Sequence, residues 1–274
     1  MKLSRRARRR SPRGPCLKPS RLTVALRSNH VWTVDFKGWF RTEDGSRIEP
    51  LTVRDLFSRY LLGVTLLPDQ SWRPTRRVFM RLFARYGYPQ IIRTDNGGPF
   101  GSTGPAGLSR LSAWWTALGV RSEFIAPGHP EQNGGHEQMH RVYKAETTRP
   151  VSCHARAQRR RSQRWVSTYN EIRPHEALGQ RRPAEIYRPK RCPRPRMMLL
   201  KYAPELVLRR VRSNGQIRWR GRKRFVGEAF VGYKVGLKLL CEDKSEVRFA
   251  GLIIGELRES DLGGMRPVRR WRRS

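Results

Sequence analysis

Acidic residues are scarce in this chain. It has 22 Asp and Glu against 58 Lys and Arg, a formal net charge of +36 over 274 residues. Such an imbalance argues against a basic partner and favours a polyanion. Cysteine is rare as well. Cys16, Cys153, Cys192 and Cys241 stand far apart, form no C-x-x-C pair and match no zinc-finger spacing. That pattern excludes a disulfide framework and reads as free thiols in a reducing cytoplasm. No apolar run approaches the ~18 residues of a membrane span. The opening MKLSRRARRRSPRG lacks the apolar stretch of a secretory signal. At 37% hydrophobic residues the chain can still bury a core, which excludes wholesale disorder. It contains no internal repeat.

The charge is unevenly placed. Residues 1–28 carry net +10, residues 29–150 only +5, and residues 151–274 net +21. Basic segments flanking a near-balanced one suit nucleic acid, where counterion release drives binding. Solvated basic tails are the plainer explanation of any single cluster, such as RRRSQR at 159–164.

Periodicity divides the chain into five parts: a basic, poorly ordered segment 1–28, an α/β region 29–190, a Pro/Arg-rich linker 191–204, a small β module 205–262 and a basic tail 263–274. VWTVDF (31–36), PLTVRDLF (50–57) and YLLGVTLL (60–67) alternate as strands, the last two joined as a hairpin through Ser58-Arg59. A helix over 73–86 sets Val78, Phe79, Leu82, Phe83 and Tyr86 on one face. Strand 90–95, helix 108–119, strand 120–126 and helices 135–148 and 155–172 follow, separated by Gly- and Pro-rich loops. This order predicts a mixed sheet with helices on both faces. Beyond the linker, Asn214-Gly215 predicts a hairpin between 206–213 and 216–221, and further short strands predict a small all-β, barrel-like module.

Three acids occupy chemically useful places. Asp35 lies near the end of the first strand, Asp95 ends the fourth, and Glu137 begins a helix entered through a Gly-rich loop. In a mixed sheet the first and fourth strands can be neighbours. Carboxylates there, joined by a helix-borne Glu, would suit hard divalent cations and in-line phosphoryl transfer. Taken singly, each acid has a structural explanation: a strand end, an Asp-Asn-Gly turn, and a solvated helix residue favoured by the N-terminal dipole.

VWTVDFKG, IIRTDNGGPF and PGHPEQNGGHEQMHRVYKAE, in that order, resemble the DDE motifs of insertion-sequence transposases with a retroviral-integrase-like core. YNEIRPHEALGQRRPAEIY resembles the segment closing that core. The resemblance spans about residues 28–190 and, more weakly, the β module. It implies a ribonuclease-H-like fold, two Mg²⁺ ions (Mn²⁺ as substitute), and metal-dependent DNA cleavage and strand transfer. The implied partners are mobile-element ends and target duplex, bound by a homo-oligomer associated with the nucleoid and not with a membrane. Asp35, Asp95 and Glu137 match the catalytic, metal-binding positions. Arg141 and Lys144 would hold phosphates.

Glu131 competes with Glu137. It leaves 35 residues after Asp95, a spacing often met in the superfamily, whereas Glu137 leaves 41. Glu137 is preferred because it starts a helix with Arg141 and Lys144 at i+4 and i+7 on one face. Glu131 sits in a Pro-Gln-Asn loop, and the Gly-rich segment 97–108 accounts for the extra residues. Asp55 in VRDLFSRY reads as a hairpin residue. His136-Glu137-Gln138-Met139-His140 also spells H-E-x-x-H, a zinc-protease signature. The basic flanks, the two Asp motifs and the lack of an obvious third ligand weigh against that reading. Trp219, Tyr233 and the arginines at 218–224 could grip DNA or simply fill and solvate the β module.

Members of the family usually carry a helix-turn-helix region ahead of the core, and here residues 1–28 stand in its place. The expectation that follows is tight, salt-sensitive DNA binding with little sequence preference. It also keeps two alternatives open: a catalytically decayed DNA-binding remnant, and a hydrolytic nuclease using the same site.

Overall fold

The computed structural model describes residues 22–126, 132, 134–188 and 200–268. His129, Glu131, most of the expected linker and basic N-terminal segment, and half of the expected basic tail lie outside the described residues. Two compact units emerge. One holds the described residues of 20–102 and 109–199, the other those of 200–274 together with 103–108.

The first unit is built on a six-stranded mixed sheet. β1 (Val31–Phe36), β2 (Phe40–Arg41), β3 (Arg47–Asp55) and β4 (Leu61–Leu67) precede α1 (Trp72–Tyr86); β5 (Ile91–Thr94), α2 (Arg110–Ala117), β6 (Arg121–Phe124), α3 (Gly134–Thr147), α4 (Ala155–Glu171) and α5 (Pro183–Ile186) follow. The path β2-β3-β1-β5-β6 carries β4 on β3. β3 pairs antiparallel with β1 and β4, whereas β1, β5 and β6 run parallel. The architecture is the ribonuclease-H-like one expected; β2 is a short edge strand the periodicity did not announce.

Alternation along the strands sorts their side chains to two faces. Trp32, Val34, Leu51, Val53 and Ile92 pack with Val78, Phe79 and Phe83 of α1 and with Leu111 and Trp115 of α2. On the other face Ile48, Leu61, Val64 and Leu66 meet Met139 and Tyr143 of α3 and Trp165 and Tyr169 of α4. Each fully buried large apolar side chain contributes about 1.5–3 kcal/mol, so both helical layers are firmly held to the sheet.

Several polar residues fasten this frame. In the β3–β4 turn, Asp55 Oδ2 accepts from the Ser58 amide (2.9 Å) and hydroxyl (2.6 Å), and Oδ1 accepts from the Asn29 amide (2.8 Å). Asp55 is fully buried, which fits its reading as a hairpin residue. Asn170 of α4 acts as a substitute strand neighbour for β4: its Oδ1 accepts from the Leu61 amide (2.8 Å) and its Nδ2 donates to the Leu61 carbonyl (2.9 Å). Tyr187 closes the unit by stacking on Tyr60 at 4.5 Å and donating to Asn29 Oδ1 (2.9 Å). Ordered structure also begins ahead of β1. Thr23 donates through its amide (3.1 Å) and hydroxyl (2.8 Å) to Glu123, which is ion-paired with Arg93 at 2.7 Å.

The second unit contains β7 (Val207–Arg210), β8 (Gln216–Trp219), β9 (Arg222–Phe225), β10 (Lys234–Cys241), β11 (Lys244–Phe249), β12 (Leu252–Arg258) and β13 (Arg266–Pro267). A five-stranded sheet, β13-β12-β11-β10-β7, accompanies a β8-β9 ribbon. The Asn214-Gly215 turn forms, with Gly215 at φ +74°, but it does not join a β7–β8 ladder. β7 pairs with β10 and β8 with β9. The physical reason is competition: Val211 exchanges backbone bonds with Tyr233 and Gly232, drawing the chain away from β8 beyond the turn. Trp219 is buried and donates to Ser245 Oγ, so it fills the core. Segment 103–108 joins this unit, with the Ala106 amide donating to the Val268 carbonyl (2.9 Å). Among the described residues no helix is long and apolar enough to cross a membrane.

Candidate active site

The parallel pairing of β1 and β5 aligns Val31 with Ile91 and Thr33 with Arg93. Continued by two residues, this register brings Asp35 beside Asp95 on neighbouring strands, which lie about 4.8 Å apart. Both side chains are only partly accessible. The two acids predicted to meet therefore share one end of the sheet.

Asp95 is held in an unusual state. Its Oδ1 is buried without a hydrogen-bond partner. Burial pushes its carboxyl above the usual carboxylate range, opposed by a hydrogen bond from the Gly97 amide. Gly97 suits this turn because a Cβ there would stand 3.0 Å from Asp95 Oδ2. The Asn96 side chain donates to the Ile125 carbonyl (2.7 Å) and ties the turn to the chain leaving β6. A buried carboxylate oxygen lacking a donor calls for a proton or a cation. The residues present thus fit a divalent ion.

Glu137 enters from α3. The exposed face of this helix carries Glu137, Arg141 and Lys144, and the buried face carries His136, Met139, His140 and Tyr143. The spacing of i, i+4 and i+7 places the acid and the two bases on one stripe. The helix start is fixed by Arg54 of β3, whose Nη1 donates to the Gly135 carbonyl (2.8 Å). Among the described residues, no three His, Cys, Asp or Glu side chains form a ready-made metal cluster. Asp35 and Asp95 are juxtaposed by the sheet, while Glu137 lies on the accessible face of α3.

The two histidines of the H-E-x-x-H string turn away from Glu137 into the sheet. Their rings stack in parallel with centroids 5.5 Å apart. His136 Nε2 lies 3.4 Å from Thr33 Oγ1, and His140 Nε2 lies 2.8 Å from Thr52 Oγ1. Burial, reinforced by Arg54 and the neighbouring imidazole, holds His136 well below the ordinary histidine range. Burial together with Lys37 and Arg54 brings His140 down to about 3. Both are neutral and face the interior, which separates them from the exposed Glu137 and removes the zinc-protease arrangement.

Sequence reasoning did not single out Arg54, Lys37 or Thr52. Arg54 stands next to Asp55 in the VRDLFSRY motif. Thr52 is paired with Asp35, and Arg54 with Thr33, across the β1–β3 ladder, so alternation from Asp35 was the available signal for both. Lys37 lies two residues beyond Asp35; partial burial, then the charge of Lys144, lowers its affinity for a proton. Lys37, just beyond β1, and Lys144 of α3 thus lie close enough for their positive charges to interact.

Two models described as integrase core domain match residues 25–130 and 118–183. The chain carries an integrase core domain. Its first matched segment holds Asp35 and Asp95, and its second holds Glu137. The insertion element IS407 uncharacterized 31.7 kDa protein of Burkholderia multivorans is 31% identical over 183 residues, covering 65% of this chain and 62% of that protein. The insertion element IS476 uncharacterized 39.2 kDa protein of Xanthomonas euvesicatoria is 30% identical over 180 residues, covering 65% of this chain and 50% of that protein. The chain therefore spans less than two thirds of the length of either relative. In fold, it is similar to a chain of the simian T-cell lymphotropic virus intasome in complex with PP2A regulatory subunit B56 gamma, with a TM-score of 0.50 at 16% identity, covering 90% of this chain and 82% of that one.

Proposed function

We propose that this integrase core domain serves a transposase that cleaves DNA strands at mobile-element ends and joins them to target duplex, with Asp35, Asp95 and Glu137 as its catalytic carboxylates. The supporting observation is the β1–β5 register, which sets Asp35 beside an Asp95 whose Oδ1 lacks a donor. Asp35, Asp95 and Glu137 would hold two Mg²⁺ ions, with Mn²⁺ able to substitute; such ions activate the attacking oxygen and stabilise the leaving one.

The chain's own residues supply position and charge. β1 and β5 hold two carboxylates on a rigid sheet, and α3 brings the third. Arg141 and Lys144, one and two turns after Glu137, bind phosphates beside the scissile bond. Lys37, near enough to Lys144 to feel its charge, adds to this positive potential. In the second unit Arg209, Arg210, Arg212 and Arg218 line one groove suited to the DNA backbone, where contacts give affinity without reading sequence. The working state is a homo-oligomer that holds element ends and target together.

The test is a strand-cleavage and joining assay with a duplex carrying a candidate element end. Cleaved and joined products are expected with Mg²⁺ or Mn²⁺, and none with chelator or with Asp95→Asn. Cleavage unaffected by chelator would overturn the reading.

A further inference from the structure

We propose that His140 contributes a nitrogen ligand, through Nδ1, to the cation held at Asp35. The inference rests on the metal-binding reading above and adds a donor outside the carboxylate set.

Geometry singles out this imidazole. The Thr52 hydroxyl donates to the Asp35 backbone carbonyl at 3.0 Å, which commits its only proton. Its lone pairs then accept from His140 Nε2–H at 2.8 Å. With the proton on Nε2, Nδ1 bears the lone pair. That nitrogen lies 3.8 Å from Asp35 Oδ2, too far for a direct hydrogen bond. With metal–donor bonds of about 2.1 Å, two donors sharing one ion stand roughly 3–4 Å apart, and this pair falls in that interval. A ligating histidine whose second nitrogen donates to an oxygen is the usual arrangement around protein-bound metals. Thr52 provides that oxygen and, through the Asp35 backbone carbonyl, ties the imidazole to the residue whose carboxylate would share the ion.

His136 shows the contrast. Its Nε2 is 3.4 Å from Thr33, and its Nδ1 is buried with no partner. No carboxylate stands within ion-pair distance of it among the described residues.

A nitrogen donor favours Mn²⁺ and later first-row ions over Mg²⁺, which prefers oxygen. The probe is therefore Mn²⁺ itself, bound to the intact chain without DNA and read by pulsed electron paramagnetic resonance. A directly coordinated imidazole nitrogen is expected, changed in frequency by ¹⁵N-histidine labelling and absent in His140→Gln. His140→Gln should also lower Mn²⁺ affinity at least tenfold more than Mg²⁺ affinity. Thr52→Val, a near-isosteric change, should retain the nitrogen signal and weaken Mn²⁺ binding. Mn²⁺ bound with no nitrogen coupling, or with coupling that survives His140→Gln, would overturn this inference and leave the carboxylate site standing. No Mn²⁺ binding at all would overturn both.

Discussion

The Arg54 guanidinium donates to the Gly135 carbonyl at 2.8 Å and occupies the space a side chain at position 135 would need: a Cβ there would stand 2.4 Å from Arg54 Nη2. Gly135 is thus selected by close approach, and a buried arginine on β3 fixes where α3, and with it Glu137, begins. Gly135→Ala should push the helix start outward. A displacement near 1 Å at a reacting group costs about a hundredfold in rate, so strand cleavage should fall by about that factor while DNA affinity is kept. Arg54→Lys in the same chain should restore part of the loss, because the slimmer ammonium leaves room. Independent, additive losses in the double-mutant cycle would show that the two residues do not act together.

Asp95 links pH, metal and stability. Burial raises its carboxyl in the folded chain above its value in the unfolded one. Between the two values the folded state binds more protons, so stability contributed by this group falls as pH rises. In the proposed site a divalent ion would take the place of the missing proton. The Mg²⁺-induced rise in melting temperature should therefore grow as pH increases from about 4. Asp95→Asn should flatten that dependence and raise the metal-free melting temperature at neutral pH. Differential scanning fluorimetry of both proteins across pH, with and without Mg²⁺, measures this.

The longer strands and helices of the first unit were legible because hydrophobic period changes between elements and Gly or Pro marks most boundaries, whereas the short β2 and α5 carried no such signal. Asp35 beside Asp95 followed from the same logic, since a parallel β1–β5 pair leaves little freedom in register. The Asn214-Gly215 hairpin was misread for a physical reason: a turn signal fixes the turn, but long-range pairing decides which strands flank it, and β10 takes β7. Arg54 was hidden because its partner is a backbone carbonyl and its steric counterpart is a missing Cβ. The inward turn of His136 and His140 depends on which face of α3 meets the sheet, which Met139 and Tyr143 decide through packing.

The two glutamates are separable by kinetics. Glu137 is exposed on α3, so Glu137→Gln should change stability by less than about 0.5 kcal/mol while removing nearly all strand cleavage and sparing DNA binding. Glu131→Gln should leave most of the cleavage. Single-turnover rates and binding isotherms on one oligonucleotide set distinguish them; the reverse ranking would move the third carboxylate to position 131.

DNA binding should be governed by charge. With net +36 and arginines clustered on the second unit, log affinity should fall steeply with log salt, in proportion to the phosphates neutralised. Removing residues 1–21 should flatten the slope without altering preference between an element end and scrambled duplex. Competition titrations at several salt concentrations measure both. A preference of about a thousandfold, typical of dedicated sequence readers, would show that the core or the β unit reads bases.

The most direct measurement is anomalous diffraction from crystals of the chain soaked in Mn²⁺. The expected result is a peak bounded by Asp35 and Asp95, on the side approached by Glu137, and lost in Asp95→Asn. Ordered Mn²⁺ elsewhere, or no peak between these two carboxylates, would contradict the assignment of this strand-end pair as the catalytic centre.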